Sequence, residues 1–97
     1  MDLTENLGFI GLARKAGALE IGAEAVEWAL SKGKAKVLIL ASDAGRSTVG
    51  KYTSMCEQKG IPILKATDKE SLGRILGRSQ VAVAAVTEKH FAKRMLS

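Results

Sequence analysis

The sequence KVLILA, residues 36–41, consists of one lysine followed by five consecutive apolar residues. Strands buried on both faces have this continuous apolar pattern, whereas a strand with one wet face alternates between apolar and polar residues. A second run, VAVAAV at residues 81–86, has the same character. We therefore predict that these two segments are central strands of a sheet covered on both faces.

Helical patterns alternate with strands on either side of these two runs. Apolar residues recur at helical spacing, and glycine or proline follows most of the helical segments. Two weaker strands are predicted. One of them contains Pro62, which is expected either within the first residues of that strand or in a strand at the edge of the sheet. The predicted helices cover residues 2–16, 22–31, 48–59, the segment from the Thr67 capping box to Gly77, and 88–96; the predicted strands cover 18–21, 36–41, 61–66 and 81–86.

This alternation predicts an α/β domain in which a four-stranded mixed sheet carries helices on both faces. The pattern shows no repeat and no linker, so residues 1–97 are expected to form a single domain. Thr67 and Glu70 form a capping box for the fourth helix, and Thr87 is the expected cap of the last helix.

Composition narrows the classes of function. The chain has 15 Lys and Arg against 10 Asp and Glu, a formal net charge of +5, which favours nucleic acid or an acidic surface as a partner. Cys56 is the only cysteine, which excludes an intrachain disulfide and fits a reducing cytoplasm. The first residues carry acids and no basic segment typical of a secretory signal. No apolar run approaches the roughly 18 residues of a membrane span, so we expect a cytoplasmic protein without membrane contact.

Catalytic and cofactor-binding patterns are missing from the sequence. His90 is the only histidine and has no evident partner or orienting group, and Asp43 has no evident second carboxylate. Neither the dinucleotide-binding glycine motif nor the phosphate-loop motif is present. We therefore expect a protein that is not an enzyme and that uses no metal and no small-molecule cofactor. A site around Asp43, at the end of a buried strand, is the weaker alternative.

Residues 14–28, RKAGALEIGAEAVEW, are the candidate binding segment. Gly22 opens a helix whose first turn has small side chains, and a helix start presents unpaired N–H groups and partial positive charge to an anion. Arg14 and Lys15 precede it. The structural alternative is a loop that joins two core helices, in which the basic pair offsets the dipole at the end of helix 1. With only four percent aromatic residues, recognition of a folded RNA is favoured over single-strand stacking.

Four strings run in the order typical of one family and cover nearly the whole chain. They are GLARKAGALEIG at residues 11–22, SKGKAKVLILASDA at 31–44, CEQKGIPI at 56–63 and SLGRILGRSQVAVAAVT at 71–87. Together they make the chain resemble the L7Ae and L30e ribosomal-protein superfamily, and most of all its bacterial L7Ae-like members. The resemblance implies a three-layer α-β-α sandwich that binds kink-turn RNA, with ribosomal RNA or a ribosome-associated RNA as the expected partner.

The resemblance also assigns the interface. The start of helix 2 would enter the groove at sheared G·A pairs, and the loop before the last strand would hold the bases flipped out at the kink. Lys15 would stand beside the same groove. Carried over to this chain, the helix positions are Gly22, Ala23, Glu24, Ala25 and Trp28, and the loop positions are Arg78, Ser79, Gln80 and Val81.

The chain departs from the family pattern within that segment. Family members typically have Gly-x-Asn-Glu-x-x-Lys, whereas here Glu24 stands at the Asn position, Ala25 at the Glu position and Trp28 at the Lys position. Glu20 and Ile21 replace the basic residues that usually precede the glycine. An altered or weakened kink-turn specificity is therefore expected. The alternative function is a protein-interaction module on the same fold that uses the face around Trp28.

Overall fold

The computed structural model describes residues 3–97 of the backbone, and side chains from residue 7 onward. The predicted alternation of helices and strands is confirmed; Asp2, the predicted first residue of helix 1, lies outside the described residues. The elements are α1 (Leu3–Lys15), β1 (Leu19–Ile21), α2 (Ala23–Ser31), β2 (Val37–Leu40), α3 (Arg46–Lys59), β3 (Ile63–Lys65), α4 (Lys69–Ile75), β4 (Val83–Val86) and α5 (Lys89–Leu96).

The four strands form one mixed sheet in the order β1-β4-β2-β3. Strand β4 is antiparallel to both β1 and β2, and β2 is parallel to β3. The two apolar runs contain the interior strands, as predicted, and every residue of β2 and β4 is buried. Pro62 immediately precedes β3, and β3 lies at an edge of the sheet. A proline, which has no N–H group to donate, is tolerated at such a position.

Helices cover both faces of the sheet and enclose one core on each side. On one face, α1, α4 and α5 contribute apolar side chains that include Ile10, Leu72 and Met95. On the other face, α2 and α3 contribute a second group that includes Leu30 and Cys56. The predicted α-β-α sandwich is thereby confirmed. Three helices cover one face of the sheet, and α2 and α3 cover the other.

Two of the predicted helix caps are wrong by one residue. Asp68, not Thr67, caps α4, and its carboxylate accepts a hydrogen bond from the amide of Ser71 at 2.7 Å. Glu88, not Thr87, caps α5 and accepts hydrogen bonds from two first-turn amides at 3.0 Å. Both residues have the extended backbone of an N-cap, which aims a carboxylate at the first turn of the helix.

Among the helices described between residues 3 and 97, none is both long enough and apolar enough to cross a bilayer.

Candidate functional site

The start of α2 is fixed to the middle of the sheet. Strand β1 pairs with β4, and immediately after β1 the amide of Gly22 donates a hydrogen bond to the carbonyl of Val83 at 3.0 Å. Gly22 has a φ of 93° and a ψ of 163°, a conformation that is essentially restricted to glycine. The glycine therefore allows the chain to leave β1 and begin α2 within one residue.

The first turn of α2 is open. None of the described side chains caps it, and Ala23 and Ala25 present only methyl groups there. A Cβ atom built on Gly22 would meet no described atom within 4 Å, so the space beside the helix start is free. The first N–H groups of α2 can therefore donate to an external acceptor, with the positive end of the helix dipole behind them.

The loop between α4 and β4 is held against α4 by its own backbone. The amide of Arg78 donates to the carbonyl of Gly73 at 2.7 Å, and the amide of Val81 donates to the carbonyl of Lys69 at 3.0 Å. A Cβ atom at Gly73 would lie 2.8 Å from Cα of Gln80, so only glycine lets the loop lie this close. The loop thus has a defined backbone rather than a freely varying one.

These two elements meet in one depression of about 580 Å³. The end of β1, the first two turns of α2 and the side chain of Arg78 line it. The structure therefore brings six of the ten predicted site residues together. The lining residues are Glu20, Ile21, Gly22, Ala23, Glu24, Ala25, Trp28 and Arg78.

The charges in this depression are mixed. Glu20 and Glu24 face the same space as the guanidinium of Arg78. Within the described side chains the ion pairs are Lys51–Glu27 and Arg74–Glu70, so neither carboxylate of the depression is neutralised by a partner. An anion that enters the depression is attracted by the helix start and by Arg78 and repelled by two carboxylates.

The remaining predicted loop residues have different positions. Ser79 and Gln80 are exposed at the loop surface, where their side chains can both donate and accept hydrogen bonds. Val81 is only 4% exposed and its side chain packs in the core beneath α4. Its side chain therefore anchors the loop rather than presenting a surface.

Lys15 is not part of the depression at α2. It lines a separate depression of about 600 Å³ between α1 and α5, together with Leu12, which is 57% exposed. Its neighbour Arg14 contacts the α4–β4 loop instead: a Cβ atom at Gly77 would lie 2.8 Å from Nη2 of Arg14. The structure thus brings Arg14, rather than Lys15, to the loop that carries Arg78.

The orientation of α2 is set by contacts with α3. Glu27 accepts hydrogen bonds from Nζ of Lys51 at 3.0 Å and from the hydroxyl of Tyr52 at 2.9 Å. The bonds from Lys51 and Tyr52 lower the pKa of Glu27. Burial, and then the adjacent Glu27 carboxylate, raise the pKa of Tyr52. This contact ties α2 to α3 next to the residues of α2 that line the depression.

Asp43, Cys56 and His90 carry reactive side chains, but none of them lies in the depression at the start of α2. Asp43 accepts a hydrogen bond from the amide of Lys69 at 2.8 Å and so fixes the start of α4. Cys56 is buried in the core between α2 and α3, and burial raises the pKa of its thiol. His90 lies exposed in the first turn of α5. Among the side chains that the structure describes, no three potential ligands come close enough to hold a metal ion.

Sequence reasoning missed three contacts that shape this region. Gly73 has a weak signal, a glycine inside a helical pattern, which often marks a close backbone approach. Arg14 was predicted as part of the binding segment, but its contact with the α4–β4 loop was not. Lys34, whose ammonium lies 5.5 Å from the centre of the Trp28 ring, has no local signal because the contact depends on how the turn after α2 folds back.

Comparison with known proteins places the chain among RNA-binding relatives. The model of the ribosomal protein L7Ae/L30e/S12e/Gadd45 family matches residues 6–96. The chain is 32% identical over 88 residues to the RNA-binding protein YlxQ of Bacillus subtilis, covering 91% of this chain and 88% of that protein. It is 33% identical over 72 residues to the RNA-binding protein GK0100 of Geobacillus kaustophilus, covering 74% and 87% respectively.

Solved structures share the fold. A protein of unknown function from Bacillus halodurans superimposes with a TM-score of 0.87 at 32% identity, covering 93% of this chain and 91% of that chain. A 15.5 kD RNA binding protein from Giardia lamblia superimposes with a TM-score of 0.81, covering 99% and 86%. At 24% identity, the second likeness concerns the fold alone.

Proposed function

Because the chain belongs to the L7Ae/L30e/S12e/Gadd45 family of ribosomal proteins, we propose that it is a non-enzymatic protein that binds structured RNA of the kink-turn type. The family resemblance drawn from the sequence strings is confirmed. Two relatives carry the name RNA-binding protein, and the net charge of +5 suits the same partner. We propose residues 1–97 as one RNA-binding domain that needs no cofactor.

The observation that carries this proposal is the depression between the open start of α2 and Arg78. It combines unpaired helix-start N–H groups with a guanidinium, two groups that bind phosphate oxygens well. The loop beside it is fixed against Gly73 and holds Ser79 and Gln80 exposed. A pre-formed surface of this kind recognises the shape of a folded RNA with little ordering cost.

Each proposed site residue has a role that follows from its chemistry. Gly22, Ala23 and Ala25 let an RNA strand approach the helix start, and Arg78 contacts phosphate. Ser79 and Gln80 contact unstacked bases, while Val81 anchors their loop. Lys15 contributes to RNA attraction from the neighbouring α1 surface.

Glu24 changes the preference of this surface. A carboxylate only accepts hydrogen bonds, whereas an asparagine both donates and accepts them. Glu24 therefore cannot donate to a base acceptor, and its charge repels a nearby phosphate. We accordingly propose that the RNA target is a kink-turn-like element, in ribosomal RNA or in another RNA associated with the ribosome, and that Glu24 weakens its binding relative to an asparagine at this position.

Titration of the protein against a kink-turn duplex and a plain duplex of the same length tests this function. Measurements at two salt concentrations separate charge from shape, since charge-driven binding weakens steeply as salt rises. We expect tighter binding of the kink-turn at both concentrations. Equal affinity for the plain duplex would overturn kink-turn recognition, and absence of binding to either would overturn RNA binding.

One observation favours a second function, a protein-interaction module. Trp28 is 46% exposed, and large exposed aromatic side chains are common at the centre of protein interfaces. Under this alternative, Trp28→Ala abolishes contact with a protein partner and leaves RNA affinity unchanged. A loss of RNA affinity in the same variant favours the RNA function instead.

A further inference from the structure

Trp28 and Lys34 form a stacked pair at the surface. The Lys34 ammonium lies 5.5 Å from the centre of the indole ring, within the distance of a cation–π contact. The backbone of Lys34 is fixed as well: Gly33 turns the chain with a φ of 69°, and the amide of Lys34 donates to the carbonyl of Ala29 at 2.8 Å. The position of this lysine is therefore set both by its own backbone and by the ring of Trp28.

The pair lies in a second depression that adjoins the one at the start of α2. It has a volume of about 320 Å³ and is lined by Glu20, Trp28, Gly33, Lys34, Lys36 and Thr87. Glu20 and Trp28 also line the first depression, so Trp28 is a wall common to both. A ligand strand that leaves the helix start across Trp28 meets the second depression next.

The charge of the second depression favours an anion. Lys34 and Lys36 supply two positive charges and Glu20 supplies one negative charge. Within the part of the chain whose side chains are described, neither lysine forms an ion pair. A cation–π contact orients an ammonium without neutralising it, so the lysine remains available to a phosphate oxygen.

We propose that Trp28 and Lys34 act as one unit that binds a backbone phosphate of the RNA beyond the start of α2, with Lys36 as the second cation of the same site. The site extends the interface from the helix start to the turn at the other end of α2. This inference rests on the proposed RNA-binding function and adds a phosphate site to it.

Replacement of the lysine is the first test. The full-length chain is titrated with the kink-turn duplex over a series of salt concentrations, as wild type and as Lys34→Gln. We expect the variant to bind about fivefold to tenfold more weakly near 0.1 M salt and its salt slope to fall by about one, the effect of one lost phosphate contact. Lys93→Gln is the matched control, because this exposed lysine lies on α5 in the opposite helix layer. An equal loss of affinity in both variants would mean that Lys34 contributes only to the overall positive charge, and it would overturn the proposal.

A double-mutant cycle tests whether the two residues act together. If Trp28 positions Lys34, then Trp28→Ala weakens binding, and the double variant binds about as well as the weaker single variant. Trp28→Phe retains a ring face and should retain part of the affinity. Losses that simply multiply in the double variant would overturn the claim of a single unit.

Fluorescence of the wild-type protein gives a readout independent of the variants. Trp28 is the only tryptophan, so its emission reports this surface alone. We expect the emission to change as the kink-turn duplex binds, in parallel with the binding curve. Binding without a change in emission, together with an unchanged Lys34→Gln variant, would overturn the phosphate site while the proposed function stands. Failure of the wild type to bind would overturn the proposed function itself.

Discussion

The backbone of α4 touches the following loop at Gly73, where a Cβ atom would lie 2.8 Å from Cα of Gln80. The carbonyl oxygens of Ser79 and Arg78 would be 2.8 and 2.9 Å away from the same Cβ atom. No flexible side chain can move aside to relieve this contact, since all three atoms belong to the backbone. The conformation of the loop therefore depends on a hydrogen atom in place of a side chain at position 73.

Gly73→Ala should lower the free energy of unfolding by about 1–3 kcal/mol, the usual cost of an overpacked site. It should also weaken RNA binding, because the loop with Arg78 must shift. Urea denaturation and kink-turn titration measure the two effects.

Gly50→Ala is the matched control for this substitution. Gly50 is exposed within α3, and a Cβ atom there would meet no described atom within 4 Å. The control should raise the stability by up to about 1 kcal/mol, because alanine is the better helix former. A Gly73→Ala variant as stable as the wild type, with unchanged RNA affinity, would contradict the role of this contact.

The cap of α4 should make part of the stability dependent on acid pH. Hydrogen bonding to the Ser71 amide lowers the pKa of Asp68, so its contribution is fully present above the unfolded value of about 4. That contribution is lost as the pH falls through the lower folded pKa. Asp68→Ala should lower the free energy of unfolding at pH 7 through loss of the helix cap, and progressively less in acid. Urea denaturation at pH 7 and at a pH below the unfolded value of about 4 measures this, with Glu57→Ala as the control. A difference in unfolding free energy between wild type and Asp68→Ala that does not change with pH would contradict it.

The contact between α2 and α3 predicts a dependence at alkaline pH. The pKa of Tyr52 is raised, so the neutral phenol is favoured in the folded protein and its contribution is fully present below the unfolded value of about 10. Stability should then fall as the pH rises above that value, because only the unfolded chain loses the proton readily. Tyr52→Phe should cost about 1 kcal/mol at pH 7 through the lost hydrogen bond to Glu27, and should flatten the alkaline slope. Thermal unfolding between pH 7 and 11 measures it, and an alkaline slope equal to that of the wild type would contradict it.

The sequence allowed the element order and the interior strands to be predicted because these depend on local periodicity. The runs at residues 37–41 and 81–86 are apolar throughout, a pattern typical of a strand covered on both faces. The caps were harder to predict. Thr67 and Asp68 are adjacent capping candidates, and so are Thr87 and Glu88. In each pair the backbone angles decide whether the threonine hydroxyl or the neighbouring carboxylate faces the helix start.

Residues of the candidate site divide in the same way. The open helix start at Gly22 could be predicted, since small residues after a glycine are visible in the sequence. Three other features could not be, because each depends on segments far apart in the chain or on a turn that folds back. They are the glycine contact at Gly73, the packing of Arg14 over Gly77, and the placement of Lys34 over Trp28.

The central claim, that RNA binds along the start of α2, is tested most directly by the affinity of Glu24→Asn for a kink-turn duplex. Glu24 lines the depression without a cationic partner among the described side chains, so its removal relieves repulsion of phosphate. Glu57→Gln, an equal change of charge on α3, controls for the overall field of the protein. We predict that Glu24→Asn binds about threefold to tenfold more tightly than the wild type, well beyond any effect of the control. An affinity equal to that of Glu57→Gln would contradict the account and place the RNA elsewhere on the molecule.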